Sequence, residues 1–238
     1  MNLKRFFCLL LCLMCLASSS LAASKGFTLR NGDRDVPRVA ITMDDCQDTE
    51  KIRETIELCK EYNIAVTFFV VGNALKVEDR QLWQDALDAG CEIGNHTWSH
   101  SDLPHLKTSL IQYEMEQSQK QLDLVLGYHY PMQVMRPPWG HLSRDSKKIS
   151  DKRVVDAIEG CGYKHAVKWD VSQTNAAKAI KQVKNGSILL YHSNAADVTC
   201  LETLIPALLE KGLECVTVSE LLNLEPVQVS PLDEETSL

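Results

Sequence analysis

No apolar run in this chain is long enough to cross a bilayer. The run at residues 6–16 holds 11 residues, about half of the ~20 that a spanning helix needs. Basic clusters are also missing. The formal charge is −7 and becomes −9 if Lys4 and Arg5 leave with a leader, which excludes nucleic acid and anionic membrane surfaces as expected partners. There is no GxGxxG turn, and no CxxC pair joins the cysteines that follow residue 22. A dinucleotide-binding open sheet and a thiolate zinc site therefore lack their usual signals. Internal repeats and low-complexity segments that would mark a second domain are absent as well.

What is present begins with a leader. Lys4 and Arg5 precede the short apolar run, and Ser20 and Ala22 stand at the key positions of a small-x-small cleavage site. Residues 1–22 read as a secretory signal peptide. Met14 before Cys15 and Leu11 before Cys12 do not fit a lipoprotein site. The expectation is a secreted or extracytoplasmic protein in the periplasm, wall or medium, a monomer without integral membrane association after cleavage. Residues 23–36 form a lead-in, 37–222 one domain, and 223–238 a loose polar tail. Six cysteines follow the leader: Cys46, Cys59, Cys91, Cys161, Cys200 and Cys215. A domain of this length needs no disulfide staples, and mostly buried free thiols are expected.

The domain alternates short apolar runs with helical patterns. Strands are expected at 38–43, 64–71, 91–94, 132–135, 163–171, 187–191 and 214–218. Between them, helical spacing recurs, as at Ile52, Ile56 and Cys59, or at Ile111, Met115, Ser118, Leu122 and Val125 before Gly127. Repeated strand–helix units imply a parallel sheet with helices outside. Seven such units fit an α/β fold, a distorted (β/α)7–8 barrel of parallel strands.

The polar fragments all fall at carboxyl ends of strands. Asp44 and Asp45 follow the first strand, His96 and His100 the third, Arg136 the fourth, Trp169 and Asp170 the fifth, and His192 the sixth. In α/β barrels those ends share one face, where active sites lie. Two histidines four apart with one carboxylate can hold a catalytic metal and leave a position open. The remaining Asp, Arg and His then suit a base, its orienter and an acid.

Read together, Ile41-Thr42-Met43-Asp44-Asp45, His96-Thr97-Trp98-Ser99-His100, Arg136-Pro137-Pro138-Trp139-Gly140 and Leu190-Tyr191-His192 closely resemble the motifs of the polysaccharide deacetylase (NodB-homology, carbohydrate esterase family 4) proteins. The resemblance covers roughly residues 37–220. It implies a NodB-like distorted barrel and a divalent metal bound by Asp45, His96 and His100. Zinc is the default metal, with cobalt, nickel or iron(II) as alternatives. It also implies Asp44 as general base, Arg136 as its partner, His192 as general acid and the Trp139 backbone N–H as an oxyanion donor. Pro138, Leu190 and Asp170 would support the site or the substrate. A bidentate fork from Arg136 to Asp44 is expected. Asp170 faces two candidate partners, His192 and Arg136.

This chain departs from the family pattern in four places. Met43 and Trp139 replace Phe and Tyr, and Cys46 stands where Gly usually follows the paired aspartates. Near Asn175-Ala176 the family's second Asp, which tunes the acid histidine, has no counterpart.

The resemblance implies a hydrolase that removes acetyl groups from an acetylated polysaccharide. N-Acetylglucosamine-type units of peptidoglycan, chitin-like polymers or poly-N-acetylglucosamine are the leading substrates. Two alternatives are also consistent with these residues: an O-acetyl esterase on a xylan-like polymer, and a catalytically weak glycan-binding protein. An iron(II) oxygenase would share the two-His-one-carboxylate set but lacks its usual antiparallel barrel. Trp98 and Trp139 are candidate sugar-stacking surfaces. His105, His129, His141 and His165 read as structural or solvated.

Overall fold

The computed structural model describes residues 26–232; the leader lies outside them. The fold is built on β2 (Arg38–Asp45), whose residues from Val39 to Met43 are all buried. A strand buried on both faces reads as a continuous apolar run because helices cover each side of a parallel sheet. β2 pairs in parallel with β3 (Val66–Val70) on one side and β6 (Ile188–His192) on the other. β3 pairs with β4 (Glu92–Asn95), and β7 (Glu214–Cys215) pairs with the first residues of β2. A two-residue pair, β1 (Thr28–Leu29) with β5 (Ala166–Val167), completes the strands.

Single parallel bridges carry the pairing onward. Asn95 bridges Met135, Met135 bridges Ala166, and Val171 bridges Leu189 of β6. The pairings thus run from β2 through β3, β4, the 132–135 segment and the 166–171 segment to β6, and back to β2. This is the expected α/β fold in distorted form, with one half a regular sheet and the other held by isolated bridges.

The weak half has identifiable causes. The expected strand at 132–135 is followed by Pro137 and Pro138, which offer no N–H to a ladder. The expected strand at 163–171 shortens to Ala166–Val167 because the carbonyls of Val167 and Lys168 accept N–H groups of Arg136 instead of a neighbouring strand. At 214–218 the strand stops at Cys215. Thr217 and Glu220 form a reciprocal capping box, which starts a short helix at Val218.

Helices α1 (Thr49–Tyr62), α2 (Arg80–Asp88), α3 (Thr108–Leu126), α4 (Lys152–Glu159), α5 (Ala176–Gln182), α6 (Ala195–Glu210) and α7 (Val218–Leu221) cover the strands. Asp48 caps α1 by accepting the N–H groups of Glu50 and Lys51, and Ile52, Ile56 and Cys59 form its buried face. The core gathers Phe68, Trp83, Ile93, Ile111, Met115 and Leu122. Full burial of each such side chain contributes about 1.5–3 kcal/mol. All six cysteines after the leader are free, and every one but Cys161 is buried. No helix of the described residues is long and apolar enough to cross a membrane.

Of the loose tail expected at 223–238, the described residues 223–232 are anchored to the domain instead. Gln133 Nε2 donates to Glu225 O at 2.7 Å, Leu224 packs on the core, and Ser230 pairs with His129 through main-chain bonds of 2.8 and 3.1 Å. Its polar composition hid these anchors, because two of the three are backbone bonds.

Candidate active site

β2 ends by turning. Asp44 keeps strand geometry, but Asp45 has φ 65° and Cys46 φ 56°. That left-handed step brings two consecutive carboxylates to one site, which a straight strand would send to opposite faces. Cys46 holds this conformation at the position where a glycine would hold it freely, at a cost of about 1–2 kcal/mol. Its N–H donates to Asp44 O at 2.8 Å and its thiol to Met43 O at 3.3 Å.

The loop after β4 carries the histidines. Thr97 and His100 both have positive φ. Asn95 Oδ1 accepts the Thr97 N–H at 2.8 Å, while Gly72 and Asn73 donate to the carbonyls of Thr97 and Trp98, each at 2.9 Å. Glu114 on α3 accepts from the Ser99 N–H and hydroxyl. Four residues from three segments thus hold a loop whose backbone would not adopt this shape alone.

His96 is buried, and its Nδ1 donates to the Arg136 carbonyl at 2.7 Å. A carbonyl only accepts, so that nitrogen carries the proton and Nε2 presents its lone pair. Burial pushes the His96 imidazole below its ordinary pKa, with the Asp44 charge opposing. Nε2 of His96 lies 3.5 Å from Asp45 Oδ1, and Nε2 of His100 lies 3.4 Å from the same oxygen. Ligand atoms of Asp45, His96 and His100 all fall within 4.8 Å of one another. Asp45 Oδ1 is buried without a hydrogen-bond partner. An orphaned anionic oxygen between two imidazole nitrogens fits a divalent cation.

Asp44 sits behind this set, 4 % exposed. Its Oδ2 lies 3.8 Å from His96 Nε2 and its Oδ1 accepts from Arg136 Nη1 at 2.6 Å. Arg136 is fully buried. The expected bidentate fork is corrected here: Asp44 receives Nη1 alone. That nitrogen also donates to Thr42 Oγ1 at 2.6 Å, while Nε and Nη2 serve the carbonyls of Val167 and Lys168, each at 3.2 Å. The fifth segment has no strand partner for those carbonyls, so the guanidinium supplies the donors. Its Cζ lies 4.2 Å from the centroid of the Phe69 ring. A Cβ at Gly94 would stand 2.8 Å from that ring, so only glycine leaves Phe69 in place there.

Pro138 is buried and opens a tight turn in which Trp139 takes φ 53°. The Trp139 ring centroid lies 4.5 Å from that of His100, edge to face, yet the residue is 56 % exposed. Trp98 is half-buried on the loop between the histidines. Leu190, buried in β6, stands in register with Thr42, which places His192 beside Asp44.

His192 Nδ1 lies 3.5 Å from Asp197 Oδ2. The same oxygen accepts the His192 N–H at 2.8 Å and Asn194 Nδ2 at 3.0 Å. Asp197 raises the His192 pKa. Burial alone would push the Asp197 carboxyl up, but the bonds from His192 and Asn194 outweigh it and hold it below its ordinary value.

Asp170 meets neither of its expected partners. Its carboxylate accepts from Arg34 Nη2 at 2.6 Å, the Ile188 N–H at 2.8 Å and Ser187 Oγ at 3.1 Å. Arg34 of the lead-in captures it at the start of β6, the end opposite His192. Asp197 was not foreseen. Its signal was the spacing Asn194-x-x-Asp197, a helix start in which Asn194 accepts the Asp197 N–H at 3.0 Å. Of the remaining histidines, His105 and His141 approach Asp102 at 3.5 and 3.4 Å, and His129 approaches Asp123 at 2.6 Å.

A distorted parallel barrel with a two-His-one-Asp set at its strand ends, flanked by an Asp–Arg pair and a His–Asp pair, defines the architecture of metal-dependent glycan esterases and deacetylases. The family description "polysaccharide deacetylase" matches residues 31–166, more than half of the chain, and the chain belongs to that family. It is 26 % identical over 185 residues to the peptidoglycan-N-acetylglucosamine deacetylase PgdA of Listeria monocytogenes, covering 77 % of this chain but 38 % of that one. A peptidoglycan-N-acetylglucosamine deacetylase of Bacillus cereus is 26 % identical over 190 residues, with 77 % and 87 % covered. Among solved structures, the wild-type family 4 pseudoenzyme of Bacillus anthracis superposes with a TM-score of 0.71 at 20 % identity, over 84 % of this chain and 69 % of that one. The likeness to that structure concerns the fold alone. The chain thus spans about two fifths of the Listeria relative's length.

Proposed function

We propose that the protein is a secreted, metal-dependent deacetylase that removes N-acetyl groups from N-acetylglucosamine-type units of an extracytoplasmic glycan. The observation that carries this reading is the buried, unpartnered Asp45 Oδ1 between His96 and His100, with Asp44–Arg136 on one side and His192–Asp197 beside it. A divalent cation, zinc by preference for this ligand set, would supply Lewis acidity at the acetyl carbonyl and acidify water beside it.

The chain's own residues supply the rest. Asp44 takes the proton of the attacking water, held in orientation by Arg136. The Trp139 backbone N–H donates to the developing oxyanion. His192 gives its proton to the departing nitrogen, so that the C–N bond breaks and acetate and a free amine leave. Amine departure needs that proton far more than alcohol departure does. An acid whose pKa is raised by a buried carboxylate supports the amide reading over the O-acetyl ester reading. A pure glycan binder would have no use for the orphaned Asp45 oxygen.

The test is acetate release by the purified protein from chito-oligosaccharides, peptidoglycan fragments and acetylated xylan, each with zinc and with chelator. Zinc-dependent release from an N-acetylated glycan is expected. Release from acetylated xylan alone would overturn the amide reading, and zinc-bound protein that releases no acetate from any of them would overturn the enzyme reading.

A further inference from the structure

Arg30 and Lys168 stand next to each other at the mouth of the site with no carboxylate between them. Arg30 follows β1 and Lys168 follows β5, and the Lys168 N–H donates to Leu29 O at 2.7 Å. Lys168 is 7 % exposed, and burial together with the Arg30 charge lowers its ammonium pKa. Arg30 makes one long contact, to Trp169 O at 3.5 Å. None of the lysine and arginine ion pairs among the described residues involves either side chain. A lysine with so little exposed surface beside a guanidinium is an unfavourable arrangement unless an anion joins it.

Both cations line a groove of about 470 Å³ that starts at Trp139, passes Gly140 and continues along residues 141–149. Arg144, Lys147 and Lys148 line it too, and its carboxylates are Asp102 and Asp145. Asp102 already faces His105 and His141, and Asp145 Oδ1 accepts the Lys147 N–H at 2.9 Å. In a chain of net charge −7, this groove is cationic. The sequence conceals it, since Asp145 and Asp151 interrupt and follow Arg144, Lys147 and Lys148, and the two other cations come from distant segments. At the groove's mouth the exposed Trp139 ring leans on His100, so the groove opens one ring away from the Asp45–His96–His100 set.

We propose that this groove binds the carboxylate of a sugar adjoining the one that loses its acetyl group. The substrate is then an anionic glycan in which N-acetylated amino sugars are joined to carboxylate-bearing residues. This rests on the deacetylase reading and narrows it. Arg30 offers a planar fork suited to a carboxylate, and Lys168 adds a partly desolvated charge. The shared chemistry is a carboxylate close to the sugar ring, supplied either by a lactyl ether, as in muramic acid, or by a uronic acid.

The experiment uses the zinc-loaded protein with tetrasaccharides of peptide-free peptidoglycan glycan and of hyaluronan, each native and with its carboxyls reduced to alcohols. Binding is measured by calorimetry and acetate release is followed separately. One native tetrasaccharide is expected to bind about ten- to a hundredfold more tightly than its reduced form, the worth of a charge-assisted contact, and the preferred one identifies the carboxylate source. Arg30→Gln and Lys168→Met are expected to erase that difference while leaving binding of the reduced form unchanged. Arg30 is exposed, so its variant reports on the groove even where the Lys168 variant folds poorly. Equal binding of native and reduced glycans, or variants that weaken both alike, overturns the proposal. Carboxylate-dependent binding without acetate release from any glycan sinks the deacetylase reading and leaves the groove standing; acetate release indifferent to the carboxylate does the reverse.

Discussion

Asp197 Oδ2 holds His192 twice, through the main-chain N–H at 2.8 Å and the ring Nδ1 at 3.5 Å. The carboxylate comes from the first turn of the helix that follows the histidine, whereas the family pattern draws its counterpart from the fourth motif. Because Asp197 is 3 % exposed and already bonded to Asn194, its position is fixed before any substrate arrives. One buried side chain thus orients the histidine and raises its pKa.

Replacing Asp197 by Asn removes that raising influence. The His192 pKa falls, so the limb on which activity is lost with rising pH moves to lower pH. Turnover of an N-acetylated sugar at neutral pH should fall about tenfold or more, while an aryl acetate, whose leaving group needs no proton, should lose little. His192→Ala should cost about 10²–10⁴-fold on the amide. A pH–rate profile of D197N superimposable on the wild type would show that Asp197 serves only the fold.

Arg136 and Asp44 make a buried pair in which each depends on the other. Arg136→Met leaves a carboxylate at 4 % exposure without its 2.6 Å partner, a loss of about 3–5 kcal/mol. Adding Asp44→Asn should recover part of that stability and none of the activity. Urea unfolding of the two single variants and the double variant gives the coupling. Additive losses would mean that the pair is not energetically linked.

The regular half of the fold was legible in the sequence, and the bridged half was not. β2, β3 and β6 are continuous apolar or β-branched runs, and burial on both faces leaves them no other reading. The fifth strand was over-read. Hydrophobicity at residues 163–171 was visible, but a sequence does not reveal that a buried guanidinium takes its carbonyls. The same asymmetry holds at the site. Spacing and strand-end placement brought Asp44, Asp45, His96, His100, Arg136 and His192 together. Asp170 had His192 and Arg136 as candidate partners and Asp197 was passed over, because both are isolated acids in sequence and only the positions of Arg34 and of the α6 N-terminus decide which one reaches His192.

Zinc should raise the melting temperature, because Asp45 Oδ1 lacks a partner in the protein itself. A ligand at one hundred times its dissociation constant adds about 2.7 kcal/mol. Asp45→Ala should abolish the shift, and His100→Ala should weaken it. Differential scanning calorimetry with and without chelator reads this directly. An equal zinc-induced shift in D45A would place the metal elsewhere.

Glu92 closes the opposite end of the sheet. Its carboxylate accepts from the Thr67 hydroxyl at 2.8 Å, from the Ser219 N–H at 3.1 Å and from the Ser219 hydroxyl, and Thr67 in turn accepts the Val218 N–H at 2.8 Å. β3, β4 and α7 meet at this one side chain. Burial raises the Glu92 pKa despite those donors. A carboxyl whose pKa rises on folding binds its proton more tightly in the native state, so stability falls as pH climbs through the interval above the ordinary value of 4.5. Glu92→Gln keeps an acceptor without the charge and should flatten that decline. Glu92→Ala instead leaves buried donors unpaired and should cost about 2–4 kcal/mol. Unfolding free energies of the three proteins between acid and neutral pH separate the effects, and a wild-type stability that rises across that interval relative to E92Q would refute the assignment.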